Sequence, residues 1–334
     1  MEKLKIAIIG AGWVSQAIHL PILKKSNDIE VVAICDKDKS KAKSVAEKFN
    51  IKHYYSNAED IAKMEDVATV LICSSTDAHK EHSIIALESK KDVFVEKPLA
   101  RKFDEAKEIV DTATKNKKKL MVGMNNRFRP DIMALRGIIE AGDLGKIFYV
   151  KSEWIKRMSN TPWFTQKEKS GGGVFIDLGI VMLDLAMWMN NYADVKTVST
   201  SMYSHSTKNV EDTAIVWCRM KNNEAVNIEV SWSLKIENDY FNCNVFGTNG
   251  SASINPLKIC RNIDGNIVNL TPIKTEKSQN LYLKSYENEL KHFFGAVKNL
   301  HPIISTGEEA LKRMQVVEAI YNSAKTNKEQ KINK

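Results

Sequence analysis

The 334-residue sequence has no long hydrophobic run and only five cysteines. No stretch approaches about 18 apolar residues without a charge, which argues against a membrane-spanning helix. The strand-like KLKIAIIG follows the first two residues, so we expect no N-terminal signal peptide. The cysteines are scattered, odd in number and without CxxC spacing, which favours reduced thiols over disulfides or a zinc site. These absences predict a cytoplasmic protein with no metal site and no membrane partner.

Charge and composition indicate an ordinary soluble protein. The net charge is +8, with 43% hydrophobic and 27% charged residues. The lysines are spread along the chain, and the densest run, KNKKKL at 115–120, lies between a predicted helix and a predicted strand. This favours a solvated surface over a nucleic-acid-binding face. The length predicts about two domains.

The first half alternates between short apolar runs and helical patterns. Strands separated by helices predict an α/β fold with a doubly wound parallel sheet, whose ligands bind beyond the carboxyl ends of the strands. We predict a first helix that continues to Lys25 and further helices at 38–49, 57–64, 79–89 and 103–116. Strands are expected at 4–9, 30–36, 51–54, 67–74, 92–97 and 119–124.

The sequence GAGWVS follows the first strand, and Asp36 ends the second. In this context Gly10 makes a tight turn, and Gly12 lets the backbone approach a pyrophosphate at a helix N-terminus. Ser15 stands where the motif has its third glycine. A carboxylate at Asp36 favours NAD over NADP, although Lys37 beside it weakens that preference. The cofactor-binding candidates here are Gly10, Gly12, Trp13, Val14 and Asp36.

Three further strand ends carry polar residues: SSTDAH at 74–79, EKP at 96–98 and NNRF at 125–128. Lys97 is either a surface lysine or a group that hydrogen-bonds a substrate oxygen. His79 either caps a helix or contacts the nicotinamide side. These ends add Ser74, Ser75, Thr76, His79, Glu96 and Lys97 to the cofactor-binding candidates.

The second half loses the alternation and predicts an α+β domain with a large, mostly antiparallel open sheet. We expect a helix at 131–142, a strand at 145–157, a glycine-led helix from 172, strands at 195–205, 211–220, 224–234, 239–246 and 250–255, and helices at 281–299 and 306–325. The predicted domains are 1–124 for dinucleotide binding and 125–305 for substrate binding and oligomerisation. Residues 306–334 form a C-terminal helix that can pack back on the first domain, and a polar tail that we expect to be disordered.

Residues 171–188, GGGVFIDLGIVMLDLAMW, are apolar except for two aspartates. At helical spacing Asp177, Val181 and Asp184 share one face. One interpretation is a core helix whose acids are paired internally. The other is a helix that brings Asp177 to the floor of a cleft, with glycines that let a ligand approach the backbone.

The ordered set GAGWVS, SSTDAH, EKPLA, VGMNNRF, AGDLGKI and GGGVFIDLGIVMLD resembles the Gfo/Idh/MocA oxidoreductases over nearly the whole chain. This resemblance implies an N-terminal Rossmann domain and a C-terminal α/β domain whose open sheet often forms dimer or tetramer contacts. It also implies NAD(P)-dependent chemistry on a sugar, a cyclitol or a nucleotide-linked sugar.

The resemblance assigns catalytic roles to Lys97 and Asp177 and implies a cis peptide bond between Lys97 and Pro98. Many members have a histidine four residues after this aspartate, where this sequence has Val181. The proton-transfer role then falls to Lys97, to another residue or to water, and two tyrosines are available: Tyr149 and Tyr240.

The leading hypothesis is an NAD-dependent oxidoreductase that acts on a secondary alcohol or ketone of a carbohydrate or cyclitol, assembled as a homodimer or homotetramer. NADP is the less favoured cofactor. Two alternatives stay open: a non-catalytic NAD-binding regulator, and an NAD-dependent glycoside hydrolase. The candidate substrate-binding residues are Arg127, Arg157, Trp163 and Asp177, and interface or core packing is the alternative role of the first three.

Overall fold

The computed structural model describes residues 3–158, 162–271 and 278–332. The chain forms two compact units. Unit 1 comprises Met1–Met124 and Tyr286–Leu311, and unit 2 comprises Asn125–Ser285 and Lys312–Lys334. Two C-terminal helices, α9 (Ser278–Val297) and α10 (Gly307–Thr326), contribute residues to both units.

Unit 1 contains a six-stranded parallel sheet, as the alternating pattern predicts. The strands are β1 (Leu4–Ile9), β2 (Ile29–Cys35), β3 (His53–Tyr55), β4 (Thr69–Ile72), β5 (Asp92–Glu96) and β6 (Leu120–Gly123). Their order is β3-β2-β1-β4-β5-β6, and every pair is parallel. The helices are α1 (Leu20–Leu23), α2 (Lys39–Lys48), α3 (Ala58–Ala62), α4 (His79–Glu88) and α5 (Phe103–Asn116). This is the doubly wound arrangement, in which ligands bind where the strand order reverses.

Apart from the edge strand β3, the short apolar strands of unit 1 are largely buried on both faces, as covered parallel strands require. All four residues of β4 are buried, and Ile6 and Ile8 of β1 are fully inaccessible. The first helix departs from the prediction of a continuous α-helix, because Ser15–His19 forms a π-helical turn before α1. Such turns rotate the following side chains relative to an α-helix, and they are frequent at functional sites.

Unit 2 contains a nine-stranded sheet in the order β14-β13-β12-β11-β7-β10-β9-β8-β15. The strands are β7 (Ile147–Ile155), β8 (Val195–Tyr203), β9 (Thr213–Met220), β10 (Ala225–Ser231), β11 (Tyr240–Gly247), β12 (Gly250–Ile254), β13 (Lys258–Ile263), β14 (Asn266–Asn269) and β15 (Gln330–Lys331). All neighbours are antiparallel except β7 and β10. The helices are α6 (Pro130–Glu140), α7 (Lys167–Ser170) and α8 (Ile180–Met189), and a π-helical turn, Phe175–Gly179, precedes α8.

Three strands of this sheet are absent from the sequence-based prediction. The hairpin β13–β14 turns at Asp264–Gly265, and β14 is exposed along its whole length, so it lacks an alternating apolar pattern. The tail that we expected to be disordered continues α10 to Thr326 and then forms β15, which pairs with β8. Backbone hydrogen bonds at a sheet edge do not depend on side-chain polarity, so composition gave no sign of this strand.

Lys167–Met189 contains an 18-residue window that is long and apolar enough to span a membrane, with a mean hydropathy of 1.7, but 94% of that window is buried inside the protein. Burial of this kind is typical of a core helix. On one face of the sheet, Ser152 of β7 donates a hydrogen bond to the Met182 carbonyl oxygen of α8 at 3.4 Å. The helix that contains both aspartates of the 171–188 stretch is therefore a central packing element of unit 2.

Candidate active site

The glycine turn after β1 has the backbone geometry that a dinucleotide motif requires. Gly10 has a φ of +105°, and a Cβ there would lie 2.4 Å from the Cys73 carbonyl carbon. Only glycine fits this contact between the turn and the end of β4. At Gly12, by contrast, the nearest atom to a Cβ would be 3.9 Å away, so space remains beside the backbone. Ser15 at the third glycine position donates its hydroxyl to the Gly10 carbonyl oxygen at 2.5 Å, which ties the turn to the first helix.

Asp36 lies against this turn. Its Oδ2 accepts hydrogen bonds from the Ala11 backbone N–H at 2.9 Å and from Lys41 Nζ at 3.1 Å, and its Oδ1 accepts from the Asp38 N–H at 3.1 Å. The carboxylate is thereby fixed beside the glycine turn, where it can accept hydrogen bonds from an adenosine ribose. The lysine paired with it is Lys41 of α2.

The segment after β4 contains Ser74, Ser75 and Thr76. Ser74 Oγ lies 3.0 Å from His82 Nδ1, and Thr76 begins a short 3₁₀ helix, Thr76–Ala78. A Cβ on Gly10 would lie 2.5 Å from the Ser74 nitrogen, so this segment borders the glycine turn. The structure therefore brings the predicted β1 and β4 residues together.

The structure gives His79 a structural role and contradicts its assignment as a direct cofactor ligand. Its side chain is buried, with Nδ1 2.8 Å from the Pro98 carbonyl oxygen and Nε2 3.1 Å from the Ser74 carbonyl oxygen. Burial lowers the pKa of His79, and a neutral ring donates to one of these two oxygens at a time. His79 therefore contacts the loops after β4 and β5 and donates a hydrogen bond to one of them.

The EKP segment ends β5 as predicted. The peptide bond between Lys97 and Pro98 is cis, which confirms the expectation from the resemblance. Lys97 is partly exposed, whereas the two residues after Pro98, Leu99 and Ala100, are buried. The Glu96 carboxylate accepts a hydrogen bond from His19. In the chain, Lys97 therefore follows a residue whose carboxylate is hydrogen-bonded, Glu96, and precedes a buried loop.

In unit 2, Asp177 lies in the π-helical turn Phe175–Gly179 and is 8% exposed. Two of the glycines before it, Gly172 and Gly173, leave no room for a ligand, so the expected ligand contact at these two glycines is wrong, while the position of Asp177 in a cleft stays a prediction. A Cβ on Gly172 would lie 2.0 Å from the Tyr321 hydroxyl oxygen, and a Cβ on Gly173 would lie 2.0 Å from the Glu211 carbonyl oxygen. Protein atoms fill the space that these two glycines leave.

Glu211 caps this helix from a distant part of the chain. Its Oε1 accepts hydrogen bonds from the Gly173 N–H at 2.9 Å, the Phe175 N–H at 3.0 Å and the Tyr321 hydroxyl at 2.7 Å. Burial raises the pKa of Glu211, and the three donors offset this only in part. The cap satisfies backbone N–H groups that every helix start leaves open.

The second aspartate of the stretch, Asp184, is paired internally. Its carboxylate binds Arg127 through Nε at 2.7 Å and Nη2 at 2.5 Å, Arg313 through Nη1 at 2.5 Å, and the Tyr192 hydroxyl at 2.7 Å. Burial alone would raise the pKa of Asp184, but the two guanidinium groups hold it below its ordinary value. For this residue the interpretation of a satisfied core acid is correct.

The same cluster corrects the prediction that Arg127 binds substrate. The Arg127 side chain is completely buried, with its guanidinium in a two-point pair with Asp184 and 5.0 Å from the centre of the Tyr192 ring. A buried arginine held in this way maintains the packing of unit 2 and is not accessible to a substrate.

The position of the family histidine is occupied by a buried apolar side chain, since Val181 is 3% exposed. Neither candidate tyrosine lies on the sheet face that contacts α8. Ser152 faces α8, so Tyr149, three residues earlier on β7, points to the opposite face. Tyr240 pairs with Ile155 and has its hydroxyl 3.5 Å from Glu153 Oε2, which places it on that opposite face as well.

Arg157 and Trp163 flank residues 159–161, which lie outside the described part of the chain. Arg157 is exposed, and its N–H donates to Asp239 Oδ1 at 3.4 Å. Trp163 is stacked on Phe164 with a centroid distance of 4.3 Å. Their assignment to substrate binding stays a prediction. Within residues 3–158, 162–271 and 278–332, no cluster of three or more His, Cys, Asp or Glu side chains is arranged to hold a metal ion.

Residues that sequence reasoning missed are Glu211, Tyr321, His19 and Arg313. Each acts across a long sequence separation: 38 residues from Glu211 to Gly173, 77 from His19 to Glu96 and 129 from Arg313 to Asp184. Local spacing contains no signal for such pairs. An unpaired acid in an apolar helix indicated only that partners must exist.

The fold and the glycine turn define an NAD-binding oxidoreductase class, and comparison with known proteins places the chain within it. Residues 4–124 match an oxidoreductase family model with an NAD-binding Rossmann fold, and residues 136–333 match the C-terminal alpha/beta domain of the same family. The chain belongs to the Gfo/Idh/MocA oxidoreductase family.

Relatives extend over nearly the whole chain. D-Glucoside 3-dehydrogenase of Escherichia coli K12 is 31% identical, over 97% of this chain and 96% of that protein. Myo-inositol 2-dehydrogenase of Thermotoga maritima is 26% identical over 92% of each. A levoglucosan dehydrogenase structure with NADH and levoglucosan has a TM-score of 0.89 at 20% identity, covering 100% of both chains. An oxidoreductase domain protein from Kribbella flavida has a TM-score of 0.91 at 20% identity, also covering 100% of both chains. At this identity the two structures support the fold alone.

Proposed function

We propose that the protein is an NAD-dependent dehydrogenase that oxidises a secondary alcohol of a sugar, glycoside or cyclitol ring, or reduces the corresponding ketone. The observation that carries this proposal is Lys97 at the carboxyl end of β5, in the sheet whose β1 and β2 ends carry the glycine turn and Asp36. The named relatives support a polyhydroxylated ring as the substrate class, and the relative at 31% identity makes a glucoside the first substrate to test.

The residues of unit 1 fit the cofactor. Gly12 leaves space at its backbone, and the Asp36 carboxylate is fixed beside the turn as an acceptor for ribose hydroxyls. Bound nicotinamide supplies the site that accepts or donates the hydride. We infer a preference for NAD over NADP, because a 2′-phosphate would meet the Asp36 carboxylate.

In the proposed reaction, Lys97 binds the reacting hydroxyl oxygen and removes its proton as hydride leaves the carbinol carbon. In the reverse direction it returns that proton to the ketone oxygen. Asp177 accepts a hydrogen bond from a neighbouring substrate hydroxyl and so orients the ring. Arg157 and Trp163 are proposed to contact the sugar by hydrogen bonding and stacking. Val181 has no titratable group, so the proposal gives it no part in proton transfer.

The test is NADH formation with a panel of glucosides, free sugars and inositols, using wild type, Lys97→Met and Val181→Ala. A general acid–base group typically contributes about 10²–10⁴-fold, so Lys97→Met should reduce kcat by that factor and change the NAD dissociation constant only a few-fold. Val181→Ala is the matched control on the other catalytic segment and should have far less effect on kcat. A fully active Lys97→Met enzyme would show that the mechanism is wrong.

A non-catalytic NAD-binding regulator is the second candidate, favoured by the buried valine at the position of the family histidine. The same panel separates the two. Binding of NAD without turnover of any ring alcohol or ketone would favour the regulator.

We also propose that the protein is a cytoplasmic homodimer or homotetramer assembled through the open face of the unit 2 sheet. Tyr149 lies on this face between Phe246 and Trp217, at centroid distances of 5.5 and 6.1 Å, and Trp217 is 44% exposed. Exposed clustered aromatic residues are typical of interfaces. Trp217→Glu should lower the mass measured by sedimentation, whereas Leu300→Glu, at an exposed apolar position of unit 1, should not. An unchanged mass for Trp217→Glu would contradict this assembly.

A further inference from the structure

His19 is a fully buried histidine in the cofactor-binding unit that no sequence motif identified. It is the last residue of the π-helical turn that follows the glycine turn. Its Nε2 lies 2.7 Å from Glu96 Oε1, and the side chains are 0% and 13% exposed. The imidazole packs edge-on against Phe94 and Tyr286, with both centroid distances at 5.8 Å. The two aromatic rings fix its orientation, so Nε2 donates its hydrogen to Glu96 in a defined direction.

This contact determines which Glu96 oxygen is left for a ligand. His19 occupies Oε1, and within the described residues no other hydrogen bond to the Glu96 carboxylate is present. Oε2 lies on the side of Gly123, where a Cβ would stand 3.4 Å from it. A Cβ at this position would first meet the Phe94 ring, at 2.9 Å from Cζ. One oxygen of Glu96 is thus anchored and the other stays available as an acceptor.

The electrostatics agree with this geometry. Burial by itself lowers the pKa of His19, but the Cys73 sulfur and the Glu96 carboxylate more than compensate, and the pKa lies well above its ordinary value. An imidazolium donates a charge-assisted hydrogen bond, which is stronger than a neutral one. The orientation of Glu96 does not depend on this charge, because Nε2 also donates when the ring is neutral with its proton on that atom.

The topology indicates what Oε2 faces. The glycine turn and Asp36 follow β1 and β2, which lie on one side of the point where the strand order reverses, and Glu96 ends β5 on the other side. A dinucleotide bound across this point has its adenosine half over β1 and β2 and its nicotinamide half over β4 to β6. In that half, the hydroxyl groups of the nicotinamide ribose and the carboxamide N–H groups can donate to a carboxylate, and ADP-ribose carries only the hydroxyl groups.

We propose that His19 is a positioning residue that orients Glu96 to accept a hydrogen bond from a hydroxyl of the nicotinamide ribose. This rests on the cofactor part of the proposed function and is independent of the sugar substrate. His19 would act through Glu96 and would not itself touch the cofactor.

Calorimetric titration with three ligands tests the proposal without any substrate. ADP lacks the second ribose, ADP-ribose contains it, and NADH adds the nicotinamide. The variants are His19→Gln, whose amide nitrogen can reach the position of Nε2, and His19→Asn, whose shorter amide reaches only the position of Nδ1. Loss of a hydrogen bond to a charged group should lower the affinities for ADP-ribose and NADH by about tenfold in His19→Asn and leave the affinity for ADP unchanged. His19→Gln should restore the affinities for ADP-ribose and NADH. Glu96→Ala should reproduce the His19→Asn pattern.

Two results would overturn the proposal. Equal weakening of all three ligands in His19→Asn would mean that the residue only supports the glycine turn, and unchanged ADP-ribose affinity would mean that Glu96 needs no orientation. If wild type bound ADP but neither ADP-ribose nor NADH, the cofactor assignment itself would fail together with the role of His19. Failure of the sugar-oxidation proposal alone would leave the ligand pattern intact.

Discussion

Glu211 offers the sharpest test of how the helix that contains Asp177 is held. Glu211→Ala removes the oxygen that accepts from the Gly173 N–H, the Phe175 N–H and the Tyr321 hydroxyl. Each lost hydrogen bond costs about 1 kcal/mol net, so the three together predict a loss of about 3 kcal/mol in the free energy of unfolding of unit 2. A conventional local N-cap would contribute only about 0.5–2 kcal/mol.

Two conservative variants separate the contributions. Tyr321→Phe removes one of the three donors and should cost about 1 kcal/mol. Glu211→Gln keeps an amide oxygen for all three donors and should remain within about 1 kcal/mol of wild type. The double variant Glu211→Ala, Tyr321→Phe should be less destabilised than the sum of its parts, because both changes remove the same bond.

The difference in the free energy of unfolding between wild type and Glu211→Gln should also depend on pH, with a predictable sign. The pKa of Glu211 is higher in the folded than in the unfolded protein, so its contribution to stability is fully present below its unfolded pKa and is lost as the pH rises through the folded value. Glutamine does not titrate. Raising the pH from about 4.5 towards about 8 should therefore destabilise wild type relative to Glu211→Gln.

Urea unfolding followed by far-UV circular dichroism measures these differences, with the transition of unit 2 identified from tryptophan fluorescence. A Glu211→Ala protein within about 0.5 kcal/mol of wild type would refute the cap, since effects this small are typical of ordinary surface positions. A difference between wild type and Glu211→Gln that did not change with pH would refute the direction of the pKa shift.

Two further predictions concern Asp36 and Asp184. Asp36→Ala should reduce the ratio of the NADP to the NAD dissociation constant by at least about tenfold in fluorescence titrations. The substitution removes a charged acceptor for the ribose, removes the repulsion of a 2′-phosphate and frees Lys41. An unchanged ratio would mean that Asp36 does not face the ribose. Asp184→Asn leaves two buried guanidinium groups without their carboxylate and should lower the free energy of unfolding by about 3–5 kcal/mol at neutral pH. Because the pKa of Asp184 is lowered in the fold, that difference should shrink as the pH falls below about 4; a constant difference down to acidic pH would contradict the pairing.

The sequence by itself determined the architecture of unit 1. Short apolar runs separated by amphipathic segments bury their surfaces as a covered parallel sheet, and the structure contains that sheet, whereas the order of its strands was known only from the structure. The glycine turn, Asp36 and the EKP segment were predictable as well, because each lies at a strand end and strand ends of a parallel sheet meet at one edge. The antiparallel core of unit 2 followed from consecutive alternating strands without intervening helices.

Only the tertiary structure decided what the buried polar groups do. The sequence left open whether the glycines before Asp177 face a ligand, and the contacts of Gly172 with Tyr321 and of Gly173 with Glu211 answer that they face protein atoms. Arg127 was expected to reach a substrate, yet Asp184 holds it in the core. Burying a charge is costly unless a partner is present, and such partners can come from any part of the chain. Local spacing contains no record of which distant residue supplies the partner, so these assignments depended on the fold.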